Sequence, residues 1–261
     1  MHTRASLAAD LSALGVAAGD MVMVHAAMAS VGDILGGPDA MIAALRDVVG
    51  PAGSIAAYAS ADSAYEDLMD DDGRVPDAWR DHVPAFDAAA SRAVRMNGVL
   101  PEFLRTTPGA VRSANPGASL TAIGAQAGWL VADHPLDYGY GPGTPLARLV
   151  AADARVLMLG APLDTMTLMH HAEHLADIPD KVVRRYEVKL TDGWHWLEEY
   201  DTSEPCSSRL PENFIEQIVT AFLAKGAGNQ GRVGDAASVL VSARDICAFG
   251  VEWIERTAGK R

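Results

Sequence analysis

"RVLMLGAPLDTMTLMHHAEHLAD", Arg155 to Asp177, carries the reading of the fold. Arg155 to Ala161 is a short apolar run of the kind that forms a buried strand, and a turn through Pro162 leads from it into a helix. Asp164 or Thr165 is placed to cap that helix. Within it His170, Glu173 and His174 stand at i, i+3 and i+4, on one face. His171 is turned from them by about 100°, the angular step of a helix with 3.6 residues per turn.

The same alternation runs through the rest of the chain. "TRASLAADLSALGV" predicts a helix capped by Thr3 and stopped at Gly15, and "DMVMVHA" a strand ending near His25. Gly36, Gly37 and Pro38 open a second helix that stops at Gly50-Pro51. "SIAAYAS" is a second strand. Helices alternating with strands imply an α/β sheet with both faces covered. Around Asp192-Gly193, "KVVRRYEVKL" and "GWHWLEEYD" predict a hairpin. Residues 61–95 are acidic, contain Pro, and break the pattern. An insert of that length without regular structure is expected to be a lid or binding loop, or else a solvated connector.

With 261 residues, 49% of them hydrophobic, the chain can bury a sizeable core, and one domain over 1–261 is expected. No apolar run reaches the ~20 residues of a membrane span, and the N-terminus lacks a signal-peptide layout. Cys206 and Cys247 lack CxxC spacing, so neither a disulfide framework nor a Cys-based zinc site is implied. These features predict a cytoplasmic enzyme. A net charge of −13 argues against a nucleic-acid surface and suits a cationic substrate.

The histidine stretch supports three readings. His170-x-x-Glu173-His174 matches the HxxEH pattern of inverted zinc proteases, which makes a zinc-dependent hydrolase built on those three residues the alternative. As an acid–base site, His170 takes a proton and Glu173 orients it. The position beyond the carboxyl end of a strand suits ligand binding in open α/β sheets. As structure, the histidines simply pack, cap or face water.

Four blocks in order decide among these: "VMVHAAMASVGDILGGPDAMIAAL", "LPEFLRTTPGAVRSANPGASLTAIG", "DYGYGPGTPLARL" and "VLMLGAPLDTMTLMHHAEHLA". They resemble the aminoglycoside 3-N-acetyltransferases, the antibiotic N-acetyltransferase family, over roughly residues 5 to 200. The resemblance implies that family's own α/β fold, a central mixed sheet flanked by helices, with the acidic insert forming part of the substrate cleft. It also implies transfer of acetyl from acetyl-CoA to the 3-amino group of a 2-deoxystreptamine antibiotic, as in antibiotic resistance, with no metal. The phosphate loop of the widespread acetyltransferases, Arg/Gln-x-x-Gly-x-Gly/Ala, is missing; Arg95 to Leu100 comes nearest and ends in the wrong residue.

Carried over residue by residue, the family's Asp-x-x-Thr-x-x-His-x-x-Glu pattern falls on Asp164, Thr167, His170 and Glu173. His170 is then the general base, Glu173 and Asp164 support it, and His25 matches the strand-end histidine near the thioester. Many relatives have a serine after that histidine and a histidine before the proline of the second block. Here the positions hold Ala26 and Asn115, and a subset of relatives also reads "RSANP". Acetyl-CoA is expected at Met28, Ala29, Ser30, Val31 and Gly32, whose backbone N–H groups would meet the oxyanion, and at Arg112, Ser113, Thr165 and Thr167. Gly36-Gly37 at a helix N-terminus and Arg148 are further candidates for the phosphates. The aminoglycoside's ammonium groups are expected to meet Tyr65, Glu102, Asp137 and Asp201, and secondarily the acids of 66–72. Transfer without an acetyl-enzyme is expected, by a monomer or homodimer.

Overall fold

The computed structural model describes residues 1–61, 63–202 and 205–259; Asp62 of the insert, Ser203, Glu204, Lys260 and Arg261 lie outside the described residues. Helices occupy α1 (Arg4–Leu14), α2 (Gly37–Val49), α3 (Asp77–Arg80), α4 (Leu100–Thr106), α5 (Ala127–Val131), α6 (Pro145–Ala151), α7 (Leu168–Leu175), α8 (Phe214–Ala224) and α9 (Ala243–Ala258). Strands occupy β1 (Met21–Ala26), β2 (Ser54–Tyr58), β3 (Val111–Arg112), β4 (Leu120–Gly124), β5 (Arg155–Leu159), β6 (Val183–Leu190), β7 (Gly193–Tyr200), β8 (Asn229–Val233) and β9 (Ala236–Ser242).

Seven strands form one sheet in the order β3-β4-β2-β1-β5-β9-β8. The central trio β2-β1-β5 is parallel, and each flank pairs antiparallel. The result is the mixed, helix-covered α/β sheet that the sequence implies. The reason is visible in β5, where side chains alternate between faces. Val156 and Met158 join a core shared with Leu168, Met169, Ile218 and Ile246. Leu157 and Leu159 join the opposite core with Leu7, Leu11, Met41 and Leu104. A strand apolar on both faces has to lie between two layers.

Local signals act as expected in α1, where Thr3 Oγ1 accepts from Ser6 N–H at 3.2 Å and Gly15 ends the helix at φ 112°. The expected cap of α7 differs. Leu163–Thr165 form a 3₁₀ turn of their own, with Thr165 Oγ1 donating to Pro162 O at 2.6 Å. The helix begins at Leu168 behind Thr167, without a side-chain cap.

β6 and β7 make the predicted hairpin, which stands apart from the main sheet. The insert is neither structureless nor a solvated connector, because it packs on that hairpin. Val75, Val83 and Phe86 are buried, and Phe86 N–H donates to Lys189 O at 2.7 Å. Val75 N–H and the Arg80 guanidinium both bond Glu187 Oε2.

The seat of α7 depends on one close approach. A Cβ on Gly250 of α9 would meet Ala172 Cβ and Met169 Sδ at 3.2 Å. Gly250→Val is expected to force α7 outward and lower stability by about 1–3 kcal/mol, the usual cost of overpacking. Calorimetry paired with kcat should show a lower Tm together with slower turnover; an unchanged Tm would refute this account of the α7–α9 contact.

Candidate active site

Strand register brings the first residues together. Met23 pairs with Ala56, so two residues on His25 and Tyr58 lie side by side at the carboxyl edge of the parallel trio. Met23 and Ala56 face the core beneath α7, and alternation turns His25 and Tyr58 to the same side. A cavity of about 350 Å³ opens there, lined among others by His25, Ala27, Tyr58, Gly98, Thr167 and His170, with the exposed Asp164 and Thr165 along it.

His170 is held from behind. Its Nδ1 lies 2.7 Å from Glu173 Oε2, and Glu173, 1% exposed, accepts at Oε1 from Cys206 N–H at 3.1 Å. A carboxylate partner requires that Nδ1 carry the proton, which leaves Nε2 as the acceptor nitrogen. The helical spacing i, i+3 makes the pair possible without any distortion of α7. His25 is different in kind: its buried Nε2 has no hydrogen-bond partner among the described residues. Burial lowers its pKa to about 4, so it is neutral at physiological pH.

A second cavity of about 300 Å³ shares Tyr58, Met96 and Asn97 with the first, and adds Glu66, Asn115, Tyr140, Tyr186, Glu199 and Tyr200 among its lining. It has the acids and aromatic faces that ammonium groups favour. A third, of about 220 Å³, continues from it past Tyr65, Glu66 and Tyr186.

The structure thus brings together His25, Asp164, Thr165, Thr167 and His170 around one cavity, with Glu173 buried behind His170, and sets Tyr65 in the third. Other expected residues stand elsewhere. Met28–Val31 form a 3₁₀ turn followed by Gly32 at φ 86°. Of these five Ser30 faces a space of about 510 Å³ that shares Ala161 and Pro162 with the first; Met28, Ala29, Val31 and Gly32 line none of these four cavities.

Arg112 bonds Ser119 Oγ, Ser91 O and Ala59 O beneath the Phe86 ring, so its guanidinium is a strut and not a phosphate ligand. Ser113 Oγ is buried between His134 Nδ1 and Leu120 N–H. Arg148 binds the carbonyls of Trp129, Leu130 and Ala132. Glu102 clamps Arg105, Arg92 and the Ala93 N–H, and the Arg105 hydrogen bond above all lowers its pKa to about 2. Asp137 accepts from Glu198 N–H at 2.9 Å, tying its loop to the hairpin, and Asp201 lies 3.8 Å from Arg184. None of these lines the cavities.

The zinc-hydrolase alternative loses its ligand set. Glu173 has both oxygens engaged, and His174 points to the hairpin, with Nε2 2.8 Å from Glu199 Oε1. Among the described residues no group of three or more His, Cys, Asp or Glu is arranged to hold a metal ion. His171 is buried with Nδ1 2.7 Å from Tyr140 O. Asn115, the departure from the second block, uses Nδ2 on the carbonyls of Pro135 and Leu136 and Oδ1 on the N–H groups of Gly117 and Ala118. Its four bonds fix the wall of the second cavity.

Sequence reasoning passed over Tyr58, Asn97, Tyr140 and Glu199. For Glu199 a signal existed: in β7 it shares a face with the buried Leu197, and an acid on the inward face of a strand requires a partner or a ligand.

Residues 23–255 match the family described as aminoglycoside 3-N-acetyltransferase. The chain is 46% identical over 266 residues to aminoglycoside N(3)-acetyltransferase III of Pseudomonas aeruginosa, covering 99% of this chain and 95% of that one. It superposes on the solved structure of AAC-IIIb in binary complex with CoASH with a TM-score of 0.97 at 61% identity, covering 100% of this chain and 98% of that one. With AAC-VIa bound to sisomicin the TM-score is 0.93 at 36% identity, covering 99% of each. Sheet, site and sequence agree: the chain belongs to the aminoglycoside 3-N-acetyltransferase family.

Burial lowers the pKa of His25 and His134 to about 4, and that of His171 below its usual value. The unfolded chain takes up these protons near pH 6.5 and the folded one does not. Stability is therefore full above about pH 6.5 and falls as pH drops towards 4, by about 1.4 kcal/mol per unit for each of His25 and His134, with His171 acting in the same direction. Denaturant melts from pH 7.5 to 4.5 should show this slope. In His134→Gln the slope should lose about one proton; an unchanged slope would mean that His134 is charged in the folded protein.

Proposed function

We propose that this chain is an acetyltransferase that moves acetyl from acetyl-CoA directly to the 3-amino group of a 2-deoxystreptamine aminoglycoside, and so confers resistance. The observation that carries the reading is His170, held by the buried Glu173 with Nε2 as its acceptor nitrogen, beside a cavity that adjoins one lined by acids and aromatics. The CoASH-bound and sisomicin-bound relatives support the two substrate classes.

Acetyl-CoA supplies an acetyl group activated as a thioester. The first cavity fits it: the unpartnered Nε2 of His25 offers a neutral polar group there, and the space continues past Ala161 and Pro162. Thr165, Thr167, His25 and Ser30 are the residues we assign to holding it. The acceptor's ammonium groups are assigned to Glu66, Glu199 and the faces of Tyr65 and Tyr200. An ammonium has no lone pair, so the acceptor gives its first proton to solvent and attacks as the free amine, and His170 Nε2 removes a second proton as the new C–N bond forms. The imidazolium is stabilised by Glu173 2.7 Å away and returns that proton to the sulfur as the C–S bond breaks. Products are an acetamide, the free thiol and the one proton released to solvent, and the proton count closes.

No cysteine is needed. The Cys206 thiol has its pKa raised by burial and by the Glu173 charge, and burial raises that of Cys247 to about 11, so neither is a thiolate nucleophile at neutral pH. We assign the reaction to one domain over 1–261, with 61–95 on the acceptor side, acting in the cytoplasm as a monomer or homodimer without metal or nucleic acid. No helix of the described residues is long and apolar enough to cross a membrane.

Thiol release from acetyl-CoA with gentamicin, and separately with apramycin, tests the reading. Turnover should survive chelator and fall by ~10²–10⁴-fold in His170→Ala, the usual contribution of general acid–base catalysis. Wild-type protein that releases thiol with no deoxystreptamine acceptor sinks the proposal. Glu173→Gln keeps the volume but no longer stabilises the imidazolium, so kcat should fall while KM for both substrates holds; an unchanged kcat removes Glu173 from the mechanism.

A further inference from the structure

The first and second cavities share three residues, Tyr58, Met96 and Asn97. If one takes the thioester and the other the amine, as proposed above, the new bond forms where they meet. The carbonyl oxygen becomes negative there, and a preorganised donor is required. Of the residues expected to supply it, Met28, Ala29, Val31 and Gly32 line neither cavity and Ser30 faces a different one. Met96 has no donor. Asn97 ends a 3₁₀ turn, Arg95–Asn97, with its amide given to Ser60 Oγ at 2.8 Å, on the acceptor side.

Tyr58 is set differently. It ends β2 at the centre of the sheet, beside His25 and on the face that α7 covers. Its hydroxyl belongs to a triangle: it donates to Gly117 O at 2.6 Å, lies 2.7 Å from Tyr140 Oη, and Tyr140 Oη lies 3.3 Å from the same carbonyl. Two hydroxyl protons therefore share one carbonyl. If Tyr58 turns its proton away, Tyr140 takes over Gly117 O and no buried group is left unpaired, so the rotation carries no desolvation cost. Tyr140 is fixed for this: its ring packs 5.3 Å from that of His170, and its carbonyl accepts from His171. Burial raises the pKa of both phenols, which keeps them protonated as donors.

We infer that Tyr58 is a catalytic residue, whose hydroxyl turns from Gly117 O to the thioester carbonyl and stabilises the charge that develops on its oxygen. Tyr140 is the positioning residue that takes its place on Gly117. The amine lone pair forms the C–N bond, the carbonyl π pair moves to oxygen and is met by the Tyr58 O–H, and its return expels the sulfur. No proton leaves Tyr58.

The inference rests on the acetyltransferase reading, and one readout needs no acceptor. The infrared carbonyl band of [1-¹³C]acetyl-CoA should move to lower wavenumber on binding wild-type protein. In Tyr58→Phe that displacement should vanish although acetyl-CoA still binds and Tm is retained, and kcat should fall ~10²–10³-fold with KM unchanged, as for loss of one oxyanion donor. Tyr140→Phe should give a smaller fall and a partial band shift, while Asn97→Ala keeps the shift. A Tyr58→Phe protein with the wild-type shift and kcat overturns the assignment to Tyr58 and leaves the acetyltransferase intact. A shift lost in Asn97→Ala and kept in Tyr58→Phe moves the role to Asn97. Wild-type protein that does not bind acetyl-CoA overturns the acetyltransferase reading and this inference together.

Discussion

The site depends on one carboxylate kept out of water. Glu173 divides its two oxygens between the imidazole of His170 and the backbone N–H of Cys206. An unpaired carboxylate in that position would be expensive, so His170 is oriented by a group that has no low-energy alternative arrangement. The constraint reaches outwards. Cys206 must be brought up by the chain that follows the hairpin, α7 must present His170 and Glu173 one turn apart, and α9 must come close enough at Gly250 to hold α7 in place.

Around that fixed point the molecule separates two tasks. The parallel trio and α7 supply His25, Tyr58 and His170, all on one face and set by strand register. The second cavity is assembled from parts that belong to no single sheet: the insert, the hairpin and the loop pinned by Asn115. This division explains why so many polar residues singled out by motif are bracing. Arg112, Ser113 and Glu102 lie in the ordered blocks of the family pattern, yet each is hydrogen-bonded within the protein.

Much of the fold was legible because its signals are local. The apolar runs of β1, β2 and β5, the Thr3 cap, the Gly15 stop and the Asp192-Gly193 turn all act through neighbours in sequence. The dyad was legible for the same reason, since i, i+3 spacing on a helix is a contact. What escaped depends on non-local pairing. Tyr58 gains its meaning from Tyr140, which lies 82 positions further along the chain. Glu102 became a clamp because Arg92 and Arg105 converge on it, and nothing in the block around it shows that convergence. The cap of α7 was misplaced because Pro162 favours a separate 3₁₀ turn, a competition that residue preferences at a single position do not resolve.

The hairpin of β6 and β7 shares no strand pairing with the seven-stranded sheet, and is tied to the rest through the insert, through Asp137 and through the His174–Glu199 contact. Substitutions on its inward face reshape the wall of the second cavity without disturbing the register that aligns His25 with Tyr58. The shape of the second cavity and the alignment of His25, Tyr58 and His170 are therefore separable traits in this scaffold, and selection can act on the first while the second is inherited intact.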